Sequence, residues 1–373
     1  MKTRRRPALF ASLRALDLFY ILVVIDTEQK LKDFLPRLRS AEWIALDTEA
    51  DSLHAYPEKL CLIQVSIPGA DELLDPLASV HLTPVYDILG EHELILHGAD
   101  YDLRLLRKTS GFVPGSIFDT MLASRLLGCR EFGLNNLVGK YLSVTLEKGP
   151  QKANWAQRPL TARMVEYARN DTRYLRPLSD ILRSQLREKE RLDWHREWCN
   201  SLIKDCARIR ATDPDVVWRV KGSHRLRSPA LGVLREIWHW REREALGANK
   251  PPYFVLTPEA MVDLAEAAVE SRPIKDILPR HLSPRRRQGI LAAIEAGVAL
   301  EKPPGIIRTS PYRQSESEKK RMQDLERRRN RQATELGIDP TLIASRAMLV
   351  LLAKDWDKHQ SELMKWQRHL LAT

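Results

Sequence analysis

Cysteine is scarce in this chain. Four occur in 373 residues, Cys61, Cys129, Cys199 and Cys206, with no C-x-x-C pair among them. That argues against a zinc ribbon and against a disulfide framework, and it fits a reducing cytoplasm. No apolar stretch reaches the roughly 20 residues of a membrane-spanning helix, so no membrane partner is expected. The N-terminus only loosely imitates a secretory signal: Lys2, Arg4, Arg5 and Arg6 precede a partly apolar stretch, but Arg14 and Asp17 interrupt it and no small-residue cleavage site follows. Residues 1–19 are therefore expected to be an extension ahead of the fold, a mis-assigned start codon being one source. An acidic balance is also missing. Sixty Lys+Arg against 49 Asp+Glu give a net charge of +11 and a pI near 9.5, which points to a polyanionic partner, nucleic acid first. Charge alone leaves a membrane surface open, and hydrophobic content of 43% over this length suffices for two or three domains with cores.

Four carboxylates and a phenol lie in order along the first half. Asp47-Thr48-Glu49 ends the apolar run Trp43 to Leu46, and residues two apart on a strand share a face, so both acids converge at a strand end. Asp102 follows the apolar Leu94-Ile95-Leu96 and His97, in a run of helical periodicity. Tyr167 and Asp171 are spaced four apart in a helical pattern and stack on one side of it. Four acids in one pocket repel and protonate unless cations balance them, and hard oxygen donors select Mg²⁺ or Mn²⁺. Two such ions suit in-line displacement at phosphorus, the hydrolysis of a phosphodiester. Each element alone has a plain alternative, a solvated acid pair or a helix-start acid; the ordered set is the specific signal. Asp119, which also follows apolar residues and opens a helical pattern, reads instead as an N-cap.

At these residues the chain resembles the DEDD-type 3′→5′ exonucleases of the tyrosine subclass and, within them, bacterial ribonuclease D. The family's motifs match Asp47-Thr48-Glu49, His97 through Asp102, and Tyr167-x-x-x-Asp171, with similar flanking runs at Leu60–Gln64 and Asn154–Leu160. The resemblance implies that Asp47, Glu49, Asp102 and Asp171 hold two divalent metal ions, Mg²⁺ or Mn²⁺, and that Tyr167 orients the attacking water. Asp100 lies two residues before Asp102, and the family's spacing from His97 favours Asp102. A ribonuclease-H-like fold is implied, an α/β core with a mixed sheet flanked by helices.

The local patterns agree with such a core over 20–210: Asp26 and Gln29 resemble a capping pair for a helix through Leu38, strands are expected at 43–48, 60–67, 71–74 and 93–97, and helices at 101–108, 119–127 and 133–142. A long helical region should run from Thr161 towards Cys206, broken or bent near Pro177. A turn-rich, basic stretch at 211–225 reads as a linker. Helical spacing at Leu231, Leu234, Trp238 and Arg241 then opens an all-α unit over 226–302 that resembles the HRDC domain. Trp238 and Trp240 fit either its core or a base-stacking role, core being favoured. Residues 303–315 read as a second linker, and 316–373 resemble a second, divergent HRDC-like helical region. The basic run from Lys319 to Arg331 fits a solvated helix as well as it fits RNA contact.

The expected activity is metal-dependent 3′→5′ exoribonuclease action releasing nucleoside 5′-monophosphates, with tRNA precursors bearing single-stranded 3′ ends as the substrate the family implies, carried out by a cytoplasmic monomer. A DNA exonuclease of the same superfamily, or a non-catalytic nucleic-acid-binding protein, are the alternatives.

Overall fold

The structure is a computed structural model that describes residues 24–208, 213–279, 282–305 and 314–372. The extension expected over 1–19, and parts of both linkers, lie outside the described residues. Contacts divide the rest into two compact units: 24–50, 60–208 and 314–372 form the first, and 51–59 with 213–279 and 282–305 form the second.

The first unit is built on six strands: β1 (Val24–Ile25), β2 (Ile44–Ala50), β3 (Leu60–Ile67), β4 (Ala70–Leu74), β5 (Glu93–Leu96) and β6 (Ser116–Asp119). Their order in the sheet is β1-β4-β3-β2-β5-β6. The pairs β2/β3 and β3/β4 are antiparallel and the other three are parallel, so the sheet is mixed. Every residue of β3 is buried, which is why Leu60-Cys61-Leu62-Ile63 reads as a continuous apolar run. On one side of the sheet pack α1 (Glu28–Arg39), α2 (Thr83–Glu91) and α3 (Asp100–Ser110), with Leu31, Phe34, Leu38, Leu103 and Leu106 in one cluster with Ile63, Val65 and Ile67. α4 (Thr120–Leu126) and α5 (Leu134–Leu142) follow β6, and three helices then cross the sheet: α6 (Ala162–Arg173), α7 (Leu175–Glu188) and α8 (Leu192–Ala207).

Three local expectations shift. The first helix is capped by Thr27, whose hydroxyl accepts from the Lys30 N–H, while Asp26, expected as the cap, pairs with the Lys30 ammonium instead. Strand β6 occupies 116–119, where a helix was expected to open at 119; Asp119 ends the strand and caps α4 at the same time. The long helical region breaks at Tyr174, and Pro177 lies in the first turn of α7, where a residue without an N–H leaves no helical hydrogen bond unmade.

The second unit comprises α9 (Ala230–Ala248), the short α10 (Pro252–Val255), α11 (Pro258–Val269) and α12 (Pro284–Val298). Leu231, Leu234, Ile237 and Trp240 are buried in its core, so Trp240 is a packing residue, and Trp238 packs half-buried against that core. α9 and α12 cross closely at Gly297, where a Cβ would stand 2.4 Å from the Val233 Cα. The excursion 51–59 between β2 and β3 belongs to this unit: the Tyr56 hydroxyl donates to Glu242 Oε2 at 2.5 Å, and its N–H to Asn249 Oδ1.

The last helices, α13 (Glu316–Leu336), α14 (Pro340–Ile343), α15 (Arg346–Lys354), α16 (Trp356–His359) and α17 (Lys365–Ala372), group with the sheet. The separate helical region expected over 316–373 is therefore not a separate compact body. Leu349, Leu352, Trp366 and Leu371 share one cluster with Ala45, Ile95, Phe118, Leu126 and Leu182 of the sheet and its helices. The basic run on α13 is partly internal: Arg321 donates to the Ala353 carbonyl, Arg328 to those of Leu371 and Ala372, and Arg329 to that of Ala344. These carbonyls end α15, α17 and α14, where cations complement the helix dipole.

Candidate active site

Strand alternation and helix docking bring the predicted acids together. Asp47 and Glu49 leave β2 on one face, and α6 lies across that face in contact with β2, β3 and β4. The rotation of α6 is fixed by polar ties to the sheet: the Ser66 and Thr172 hydroxyls are 2.7 Å apart, and Arg173 Nε donates to Asp71 Oδ2 at 2.7 Å. Apolar contacts of Met164, Val165 and Ala168 with Leu62 and Leu73 complete the docking. Tyr167 and Asp171 thus face β2. Asp47, Glu49 and Asp171 each offer a ligand atom within 4.8 Å of the others, the one such set of three or more His, Cys, Asp or Glu side chains among the described residues.

Asp102 stands beside this set. It is buried at the first turn of α3 and accepts a 2.5 Å hydrogen bond from the Thr48 hydroxyl. Asp100 is turned outward and paired with Arg104 at 2.8 Å, which separates the two neighbouring acids by environment. Tyr167 lines a cavity of about 680 Å³ with Asp47, Asp171, His97, Asn135 and Lys148. Its hydroxyl faces Asp171 and Gln151.

Several residues of this site carry no sequence signal strong enough to single them out. Gln64 pairs with Asp47 across β2/β3 and donates to its Oδ2 at 3.4 Å, while its own buried Oε1 has no hydrogen-bond partner in the protein. Gly149 packs so tightly on the Tyr167 ring that a Cβ there would lie 1.5 Å from Cδ2. The flanking run Asn154–Leu160 proves to be a clamp: Arg158 binds Asp75 through two nitrogens at 2.5 and 2.6 Å and donates to the Cys61 carbonyl, while buried Trp155 backs Tyr167 at 6.1 Å between ring centroids. Leu60–Gln64 supplies the strand against which these groups close.

The electrostatics fit a cation site. Burial first, then Asp102, Asp171 and Glu49, hold the Asp47 carboxyl well above its ordinary range. Burial, Asp171 and Asp102 push Glu49 to about 9. Burial also lifts Asp171 to about 7, Asp102 adding to it, and Asp102 itself to about 6 against the opposing Thr48 hydrogen bond. Crowded, desolvated, all-oxygen donors are what a hard divalent cation relieves, so the residues fit a divalent-metal centre.

A pH dependence follows. These carboxyls bind their protons more tightly folded than unfolded, so the metal-free protein loses stability as pH rises from the ordinary carboxyl range through about 6, 7 and 9. Bound divalent ions cancel that loss. The rise in melting temperature that Mn²⁺ produces over a chelated sample should therefore grow between about pH 5 and pH 9, by several degrees for a protein of this size. A gain that is flat or shrinking with pH in differential scanning fluorimetry would contradict this electrostatic picture.

Comparisons with known proteins agree in direction. Residues 22–187 match the family described as 3′-5′ exonuclease, and residues 230–272 match the HRDC domain. Ribonuclease D of Gluconacetobacter diazotrophicus is 31% identical over 288 residues, 74% of this chain and 72% of that protein. Ribonuclease D of Zymomonas mobilis is 35% identical over 248 residues, 65% of this chain and 63% of that protein. Among solved structures, RNase D of Escherichia coli, described as an exoribonuclease involved in structured RNA processing, shares the fold with a TM-score of 0.71 at 24% identity, covering 93% of this chain and 97% of that one.

Proposed function

The chain belongs to the ribonuclease D family and is a 3′→5′ exoribonuclease, and from that premise we propose that it removes nucleoside 5′-monophosphates one at a time from single-stranded 3′ ends, using Asp47, Glu49, Asp102, Asp171 and Tyr167. The observation that carries this reading is the convergence of Asp47, Glu49 and Asp171 within 4.8 Å at a cavity that Tyr167 also lines.

Two divalent ions, Mg²⁺ or Mn²⁺, would be held by Asp47, Glu49, Asp102 and Asp171, and when bound they supply activation of the attacking water and charge stabilisation at the leaving oxygen. The side chains set the rest. Burial, then Asp171, raise the Tyr167 hydroxyl above its ordinary value, so it remains a neutral phenol at working pH and acts by orienting water through its O–H and lone pairs. Gln64 steadies the Asp47 carboxylate, and Thr48 steadies Asp102.

We take residues 20–210 as the exonuclease domain and 226–302 as the HRDC domain, which adds RNA affinity. The substrates are tRNA precursors and other structured RNA with a 3′ trailer, and the enzyme acts as a monomer in the cytoplasm. Contacts of Lys and Arg with phosphate would hold the strand without strong sequence preference, so affinity should fall steeply with salt.

Time-resolved digestion of a 5′-labelled single-stranded RNA, beside a matched DNA, with Mg²⁺, Mn²⁺ or a chelator, tests this reading. The expected result is a metal-dependent RNA ladder that shortens from the 3′ end. Preferential DNA shortening would transfer the enzyme to the DNA-directed alternative, and no cleavage in any metal would leave a nucleic-acid-binding protein.

A further inference from the structure

Asp119 ends β6 beside Leu96, the last residue of β5, and its carboxyl is fully buried. It caps α4 in the ordinary way: Oδ1 accepts from the N–H groups of Met121 and Leu122 at 2.8 and 3.1 Å. The same carboxylate also reaches across to the neighbouring strand end. Oδ1 accepts from Gly98 N–H at 3.1 Å, and Oδ2 accepts from Ala99 N–H at 2.8 Å. Ala99 is the residue that opens α3, and no side chain of α3's own start caps it. One carboxylate therefore holds the first turns of two helices, and three residues beyond Ala99 stands Asp102.

The adjoining Thr120 ties the same turn from below. Its hydroxyl donates to the Leu96 carbonyl at 3.1 Å and lies 2.9 Å from His97 Nδ1, and His97 lines the catalytic cavity. We propose that Asp119 is a positioning residue of the catalytic centre: by holding the Gly98 and Ala99 amides it sets where α3 begins, and so where Asp102 stands relative to Asp47, Glu49 and Asp171. The inference rests on the exoribonuclease reading above and goes beyond it, since Asp119 does not line the cavity and reaches Asp102 only through this turn and through its charge.

The atom assignment makes the test specific. In Asp119→Asn the carbonyl oxygen can keep the three amides that Oδ1 serves, but the amide NH₂ then opposes the Ala99 N–H, donor against donor. α4 keeps its cap and Gly98 its bond, while the Ala99 N–H that opens α3 loses its partner. Asp119→Ser also caps α4, yet is too short to reach Gly98 and Ala99. Leu371→Ala, in the buried cluster far along the chain, serves as a control that lowers stability without touching this turn. For each full-length variant, melting temperature, kcat and KM on single-stranded RNA, and the Mn²⁺ concentration for half-maximal activity are measured at about 20 °C, with Mn²⁺ binding followed separately by calorimetry.

The expected result is graded. Asp119→Asn lowers kcat and weakens Mn²⁺ binding about tenfold and Asp119→Ser about a hundredfold, with KM nearly unchanged, the range seen when groups behind a metal ligand are altered. Leu371→Ala lowers the melting temperature alone. If both Asp119 variants keep wild-type kcat and Mn²⁺ affinity while melting earlier, Asp119 is only a structural cap and the inference fails. It fails equally if both are unfolded at that temperature, because no separable positional role then exists. An inactive wild type would overturn the exoribonuclease reading, and the Mn²⁺ titrations would still decide the role of Asp119.

Discussion

Asp47→Asn should lose RNA cleavage by at least about a thousandfold and, in the same preparation without metal, melt at a higher temperature than wild type. The first effect follows because Asp47 is the member of the set that feels all three other acids, and a metal centre deprived of its most central anionic ligand loses affinity and geometry together. The second runs against the usual expectation that a buried substitution destabilises. Metal-free Asp47 is desolvated and repelled by Asp102, Asp171 and Glu49, so a neutral side chain of the same shape removes a penalty of about 1–3 kcal/mol. Activity and apo stability therefore move in opposite directions at one atom pair, the mark of a site selected for chemistry rather than for folding. The comparison needs chelated samples of both proteins, a melting curve and a labelled-RNA time course. A variant that melts lower without metal would mean that Asp47 makes a stabilising interaction that outweighs the repulsion, and retained cleavage would remove it from the metal set.

Gly149→Ala is expected to lower kcat about a hundredfold, although the residue carries no chemistry. A Cβ there would lie 1.5, 2.2 and 2.3 Å from three ring atoms of Tyr167, far inside contact distance, so the ring must leave its place. Trp155 stands behind that ring and Asp171 and Gln151 lie at its hydroxyl, so any retreat spoils the hydroxyl's aim before it relieves the clash. Tyr167→Phe removes the hydroxyl and leaves the ring, and should slow turnover with little change in KM. Gly149→Ala should match that loss and raise KM as well, because Gly149 itself lines the cavity. A double-mutant cycle separates steric displacement from any general softening of the loop: once Tyr167→Ala has emptied the space, adding Gly149→Ala should cost almost nothing more. Additive losses would show that the two residues act independently.

How much of this was legible in the chain differs between the sheet and the site. Asp47, Glu49, Tyr167 and Asp171 could be placed on shared faces because period two in a strand and period 3.6 in a helix are read directly from spacing. Asp102 was found by spacing from His97, but its tether to Thr48 was not, since Thr48 alternates to the other side of β2 and only the approach of α3 at the sheet's parting brings the two together. Gln64 lay inside a run recognised as similar to the family, yet its pairing with Asp47 depends on the β2/β3 register, which no local pattern fixes. Gly149 could not be read at all, because its role is the absence of a Cβ facing a residue 18 positions away. Asp119 was read correctly as a cap and incompletely as a tether, for the second helix start comes from 20 residues earlier. The C-terminal helices misled for a related reason: amphipathic periodicity shows that a helix has a partner and says nothing about which.

That last point bears on the order in which the first unit folds. Leu349, Leu352, Trp366 and Leu371 fill the same cluster as Ala45, Ile95 and Phe118, although roughly 230 to 330 residues of chain separate them. Such pairings close the longest loops in the first unit, so the cluster fills only when the C-terminal helices have met the sheet. Its closure is therefore expected late in folding, after the local helices and hairpins have formed.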